Sequence, residues 1–229
     1  MSLGKWLLPS IFVSRPKRFL VNVRLGERIE TAFLPHTGRL EGILVKGARL
    51  LLREVPNRVR VPYDIVIAFD GKVPVVVDSR IPNAVIKEAI MQRKLPQLSL
   101  YTQIKAEIKV CDSRLDFMLQ NTDVYYLEVK GCTMARNSLS LYPDAPTERG
   151  VRHLELLTKL HLNGYRTGVW FVAMRSDTLG LMINRQIDPL FFNKLKEANK
   201  LGVEVYAYSI SLKNYNVCHL GKQISINIA

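Results

Sequence analysis

Cysteine is scarce: Cys111, Cys132 and Cys218 are the only three in 229 residues, odd in number and far apart. That excludes a disulfide framework and leaves no paired-thiol spacing for a zinc site. His36, His153, His161 and His219 also lack metal-ligand spacing, and the cytosol is the expected compartment. No apolar run approaches the ~18 residues a membrane span requires. The best candidates, Val73–Val77 and Val169–Ala173, are strand-sized, so no membrane role is expected. Trp6–Val13 is apolar, but Pro9 splits it and no small-residue cleavage site follows, so it reads as the first ordered segment and not an export signal. With 13 Gly and 11 Pro beside 48% hydrophobic and 23% charged residues, the chain is neither fibrous nor disordered. Acidic residues are in deficit, 20 against 33 Lys plus Arg, for a net charge of +13 and a pI near 9.8. Such a surplus attracts polyanions at long range, although solubility alone is the competing reading.

The positive charge is denser early, with 14 basic and 7 acidic side chains in residues 1–85 against 19 and 13 in residues 86–229. This favours two modules, 1–82 and 83–229. In the first, short alternating runs recur at Phe19–Arg24, Ile29–Leu34, Arg49–Glu54, Tyr63–Phe69 and Lys72–Asp78, with Asp70-Gly71 as a hairpin signal between the last two. Five short strands predict a small antiparallel barrel or sandwich. After Pro82 the period changes. Asn83–Lys94 has helical spacing; Ile104–Val110, Arg114–Leu119 and Val124–Val129 read as strands; Thr147–Asn163 is an amphipathic helix stopped by Gly164. Gly168–Met174 suits a strand covered on both faces, and Asp188-Pro189 starts a helix ending at Gly202 before a strand over Val203–Ile210.

The clustered strands carry the chemistry: Glu107, Asp116, then Glu128 with Lys130. Side chains alternate along a strand, so Glu128 and Lys130 share one face while Leu127 and Val129 point to the other. Each acid interrupts an apolar run, and a carboxylate on a buried strand is costly unless a cation compensates it. Asp116, Glu128 and Glu107 together would offer oxygen ligands suited to Mg²⁺ or Mn²⁺. An ion held there could polarise a phosphodiester and activate a water, with Lys130 orienting that water or neutralising developing charge. The residues alone equally allow a solvated strand edge with a cross-strand ion pair.

Arg114-Leu115-Asp116-Phe117-Met118-Leu119, Tyr126 to Thr133 and Tyr142-Pro143-Asp144-Ala145-Pro146-Thr147-Glu148-Arg149-Gly150 resemble the sugar fermentation stimulation protein A family. Arg15-Pro16-Lys17-Arg18-Phe19-Leu20 and Thr37-Gly38-Arg39-Leu40 are similar to its N-terminal half. The resemblance implies an α/β chain: an oligonucleotide-binding (OB) type five-stranded barrel followed by a PD-(D/E)XK nuclease-like αβββαβ domain with a mixed sheet. It further implies Asp116, Glu128 and Lys130 at the three nuclease-motif positions, Glu107 at the preceding acidic one, and a DNA-binding protein linked to the regulation of sugar (maltose) metabolism. His36 departs from the Asn often found there.

Arg149 and His153 lie four apart, expected on the exposed side of the helix after Asp144, where they could meet a phosphate. In the first module, Arg15, Lys17, Arg18, Arg49, Arg53, Arg58 and Arg60 are the expected DNA contacts, through charge more than stacking, since Phe19, Phe33, Tyr63 and Phe69 suit a barrel core. No helix-turn-helix or zinc-finger pattern marks sequence-specific readout. The expectation is a largely sequence-nonspecific DNA-binding protein, duplex favoured and RNA still open, with a candidate Mg²⁺- or Mn²⁺-dependent endonuclease site. Its alternative is a noncatalytic regulator that keeps the fold as a scaffold. A homodimer is a further option for which no residue pattern marks an interface.

Overall fold

The computed structural model describes residues 1–228. In its first half, β1 (Leu7–Lys17), β2 (Leu20–Leu25), β3 (Arg28–Phe33), β4 (Arg49–Glu54) and β5 (Tyr63–Asp70) close into an OB-like barrel. β1 pairs antiparallel with β2 and β4, β2 with β3, and β4 with β5; the ring closes where β3 meets β5 in parallel, Ala32 against Tyr63. Alternation places Val21 and Val23 of β2, and Leu50 and Leu52 of β4, in its interior beside Phe12, Leu34 and Ile65. The expected fifth strand, Lys72–Asp78, is instead β6 (Val73–Val76), which pairs only with β5 after a turn at Gly71, φ +58°. β1 takes the fifth place. Its Pro9 falls where β4 is the only neighbour, so the missing N–H spares the β1–β2 ladder.

The second half is a nine-stranded mixed sheet, with strands in the order β10-β11-β13-β15-β14-β12-β9-β8-β7. It begins with α1 (Ile81–Met91), followed by β7 (Gln103–Val110), β8 (Ser113–Gln120) and β9 (Val124–Cys132). Then come β10 (Met134–Arg136), β11 (Leu139–Tyr142), α2 (Glu148–Leu162), β12 (Arg166–Ala173), β13 (Gly180–Ile183), α3 (Pro189–Lys200), β14 (Glu204–Lys213) and β15 (Val217–Asn227). The helices start as their residues dictate: Thr147 accepts from Gly150 N, and Asp188 accepts from Phe191 N ahead of Pro189. β9, β12 and β14 run parallel in the centre, and β12 is buried almost throughout because helices or barrel cover both faces. Trp170 and Val172 face α1, whereas Val169, Phe171 and Ala173 face α2 and α3.

The two halves share a core. Val66, Ile67 and Val76 pack with α1 residues Val85 and Ile86 and with Trp170. Leu3, fully buried in the same cluster, donates its N–H to Asn216 O at 2.8 Å, so residues before β1 are tied to the second sheet. Val76 N donates to Met174 O at 2.9 Å, and buried Arg175 pairs with Asp70 at 3.0 Å and Asp177 at 2.7 Å. No described helix is long and apolar enough to cross a membrane, and all three cysteines are free.

Candidate nucleic-acid cleft and carboxylate site

Between barrel and sheet lies a cleft of about 800 Å³, lined by Arg18, His36, Thr37 and Gly38 from the barrel side and by Asn83, Asp116, Glu128, Lys130, Asp144 and Arg149 from the other. Asp116 and Glu128 reach it because β8 and β9 part company. Their ladder runs from Gln120–Val124 to Phe117–Leu127 and stops there. At the next position Asp116 turns its carboxylate into the gap: Oδ2 accepts the Val129 N–H at 2.7 Å, and Oδ1 accepts from Asn83 Nδ2 at 2.7 Å. Burial first and the charge of Glu128 second push the Asp116 carboxyl up to about 6.

Glu128 and Lys130 project on the same side of β9, as alternation requires, while Leu127 and Val129 enter the core facing α1. Glu128 is 3% exposed. Its Oε1 lies 2.6 Å from Lys130 Nζ and 2.5 Å from His153 Nδ1, the latter a close but oblique contact without hydrogen-bond alignment. Burial raises the Glu128 carboxyl, but Lys130 and His153 outweigh it and hold the group below the usual range. Burial likewise opposes the Lys130 charge, and Tyr142, Glu128 and Asp116 overcome it, leaving the ammonium raised. Glu128 Oε2 is buried without a partner. An unmet carboxylate oxygen costs about 1–3 kcal/mol or more, so this atom requires an explanation.

Of the acids expected together, the structure joins two. Glu107 stands on the edge strand β7 with its side chain 72% exposed, paired with Arg114 at 3.2 Å. Its register puts it opposite Asp116, but its φ of +52° breaks the alternation that would have aimed it at the same face. Among the described residues no group of three His, Cys, Asp or Glu side chains is gathered to hold a metal. The remaining pair still fits a hard divalent ion, because both donors are oxygen and one is buried and unmet. Asp116 and Glu128 would hold it, with main-chain or water oxygens completing the shell.

The basic residues divide. Arg18 lines the cleft, and Arg149 does so from the first turn of α2. Lys17 and Arg60 are exposed, and Arg49 lies 4.3 Å over the Phe69 ring. Arg15 is committed to the carbonyls of Arg18, Gly38 and Arg39, which shape the loop beside the cleft. Arg53 and Arg58 are not free contacts. Asp64 is buried against Arg53 at 2.9 Å, Arg80 at 2.6 Å and Arg58, and Asp78 binds Arg53 and Arg80 as well. These arginines compensate carboxylates that would otherwise be stranded.

Three further contributors have no role in the sequence reading, and a fourth sits elsewhere than expected. Asn83, in the first turn of α1, fixes Asp116, and Arg80 completes the Asp64–Asp78 cluster. Gly38 of the barrel touches Asp144 of the sheet domain so closely that a Cβ there would lie 2.0 Å from Asp144 Oδ2, itself buried and unpartnered. His153 is 2% exposed, not on the solvent side of α2 as expected; its Nε2 accepts from Arg149 Nε at 3.4 Å.

The geometry defines an OB-type barrel joined to a mixed-sheet α/β domain, with two carboxylates and a lysine at their junction. Comparison with known proteins agrees with this two-domain architecture. Residues 13–77 match the family model described as the SfsA N-terminal OB domain, and residues 80–216 match the sugar fermentation stimulation protein RE domain. A sugar fermentation stimulation protein homolog of Clostridium botulinum (strain Langeland) is 38% identical over 231 residues, covering 100% of both chains. One from Chloroflexus aurantiacus is 36% identical over 99% of this chain and 88% of its own. A solved structure of Pyrococcus furiosus SfsA in complex with Ca²⁺ superposes with a TM-score of 0.93 at 27% identity, covering 99% of this chain and 98% of that one. The chain belongs to the sugar fermentation stimulation protein family.

Proposed function

We propose that this protein binds DNA, largely without sequence preference, in the cleft between barrel and sheet, and that Asp116, Glu128 and Lys130 there form a divalent-metal phosphodiesterase site. The observation that carries the reading is the pairing of two carboxylates from adjacent strands, one with a buried unmet oxygen, beside an ammonium in a cleft that Arg18 and Arg149 also line. A relative solved in complex with Ca²⁺ supports divalent-ion binding. When bound, Mg²⁺ or Mn²⁺ would polarise the phosphodiester and lower the pKa of an attacking water. Arg149, at the positive end of α2, and Arg18 would hold flanking phosphates. Asn83 and the Val129 N–H fix the Asp116 carboxylate so that it need not reorganise. Lys130, 12% exposed in its side chain, keeps its charge and can neutralise the developing negative charge.

A second reading also has an observation behind it. Both Asp116 oxygens and Glu128 Oε1 are satisfied within the chain, as a noncatalytic DNA-binding regulator would allow. Incubating supercoiled plasmid with the protein and Mg²⁺ or Mn²⁺ separates the two. Nicking that disappears in Glu128→Ala and Lys130→Ala supports the enzyme. Binding without nicking by the wild-type chain supports the scaffold.

A further inference from the structure

Glu128 is held asymmetrically. Both cationic or donor contacts, from Lys130 Nζ and His153 Nδ1, fall on Oε1, and Oε2 is left buried without a partner. One contact fixes where a carboxylate oxygen sits; a second, from another element, also fixes the twist of the group. Lys130 belongs to the same strand as Glu128, so only His153, reaching across from α2, ties the carboxylate to the rest of the domain. His153 is buried and its ring is set from behind, because Nε2 accepts from Arg149 Nε at 3.4 Å. That bond puts the ring proton on Nδ1, facing Glu128. Arg149 in turn is exposed at the cleft.

We propose that His153 is a positioning residue: its Nδ1 edge, in short contact with Glu128 Oε1 though not aligned as a hydrogen bond, keeps that oxygen turned inward and leaves Oε2 for a divalent ion, and its contact with Arg149 links that arrangement to a DNA phosphate. The inference rests on the metal-site reading given above. It requires a polar nitrogen at the Nδ1 position specifically, close to Oε1, since packing alone would be indifferent to where the nitrogen lies.

The side-chain amide of Asn can stand near Nδ1, whereas that of Gln reaches toward Nε2. The test titrates Ca²⁺ into the full chain by calorimetry for wild type, Glu128→Ala, His153→Ala, His153→Asn and His153→Gln, with duplex DNA affinity measured in Ca²⁺ and in EDTA. Removing such an outer-shell partner commonly costs 10–100-fold in metal affinity. His153→Ala and His153→Gln should therefore weaken Ca²⁺ binding by about tenfold or more, and His153→Asn by less than about threefold. The tightening of DNA binding by Ca²⁺ should shrink toward unity in the first two and persist in the third. If Ca²⁺ binding is lost in Glu128→Ala but kept in His153→Gln, the role of His153 is refuted and the metal site stands. Equal loss in the Asn and Gln variants with matching drops in melting temperature also refutes it, as a packing effect. A wild-type chain that binds no Ca²⁺ overturns the metal-site reading itself.

Discussion

Asp116 Oδ2 accepts the main-chain N–H of Val129 at 2.7 Å, taking the place of a carbonyl at the point where the β8–β9 ladder ends. A side chain thus does what backbone does elsewhere in the sheet, and the strands can separate without stranding a buried donor. The cost falls on Asp116, which must ionise in a desolvated place beside another carboxylate.

That cost sets a pH dependence. With its folded pKa raised to about 6 from an ordinary aspartate value of 3.8, Asp116 binds its proton more tightly folded than unfolded. Its contribution therefore favours the fold below about pH 4 and is withdrawn as pH rises through about 6, a difference on the order of 2–3 kcal/mol. Asp116→Asn should raise the melting temperature at pH 7 by several degrees and leave it nearly unchanged at pH 4, read by thermal melts in matched buffers. Divalent-ion affinity should fall as pH drops below about 6, where proton and ion compete for the same oxygens.

Lys130 and Glu128 compensate each other in a nearly buried pair. Lys130→Met leaves a carboxylate with one oblique contact and should destabilise the chain by about 3–5 kcal/mol. Adding Glu128→Gln removes the stranded charge and should restore much of that loss. Urea unfolding of both single variants and the double variant checks this; strictly additive losses would contradict the pairing.

At Gly38 the barrel leans on the sheet domain. Gly38→Ala must drive a methyl group into Asp144 and His36, so it should lower the melting temperature by several degrees and weaken DNA binding. Shortening the obstruction with Asp144→Ala in the same chain should recover part of both losses. Equal melting temperatures for wild type and Gly38→Ala would show that the contact yields freely.

Salt dependence can sort the arginines. Each phosphate contact contributes about 0.9 to the slope of log K against log salt. Arg149→Ala and Arg18→Ala should each flatten that slope by roughly one contact with little change in stability. Arg53→Ala and Arg58→Ala should instead lower stability while leaving the slope alone, because they serve Asp64.

Much of this is legible in the sequence. The three helices, the strands β7, β8, β9, β12 and β14, the hairpin at Gly71 and the shared face of Glu128 and Lys130 follow from period, turn residues and alternation, whereas β10, β11, β13 and β15 fall outside that reading. Glu107 stands apart from the pair because its positive φ re-aims one residue of a strand, and nothing in Lys105-Ala106-Glu107-Ile108-Lys109 announces that. β1 was obscured by Pro9, whose tolerance depends on a neighbour absent from that stretch. The burial of His153 had a signal: Gly150, His153, Leu154 and Leu157 recur at i, i+3, i+4 and i+7, a stripe that faces inward. Its polarity argued for the surface, and only the tertiary pairing with Glu128 reverses that. Arg53 and Arg58 counted as surface charge because their carboxylate, Asp64, comes later in the chain and meets them only in the closed barrel.

The buried seam that runs from Leu3 through Val66 and Val76 to Trp170 also limits how the molecule can move. Swinging the barrel away from the sheet would expose apolar surface and unseat the residues before β1 from their partners, so the opening keeps its width. A polynucleotide bound there as proposed would have to bend, fray or thread to suit the gap, and discrimination among such guests would fall to their pliability.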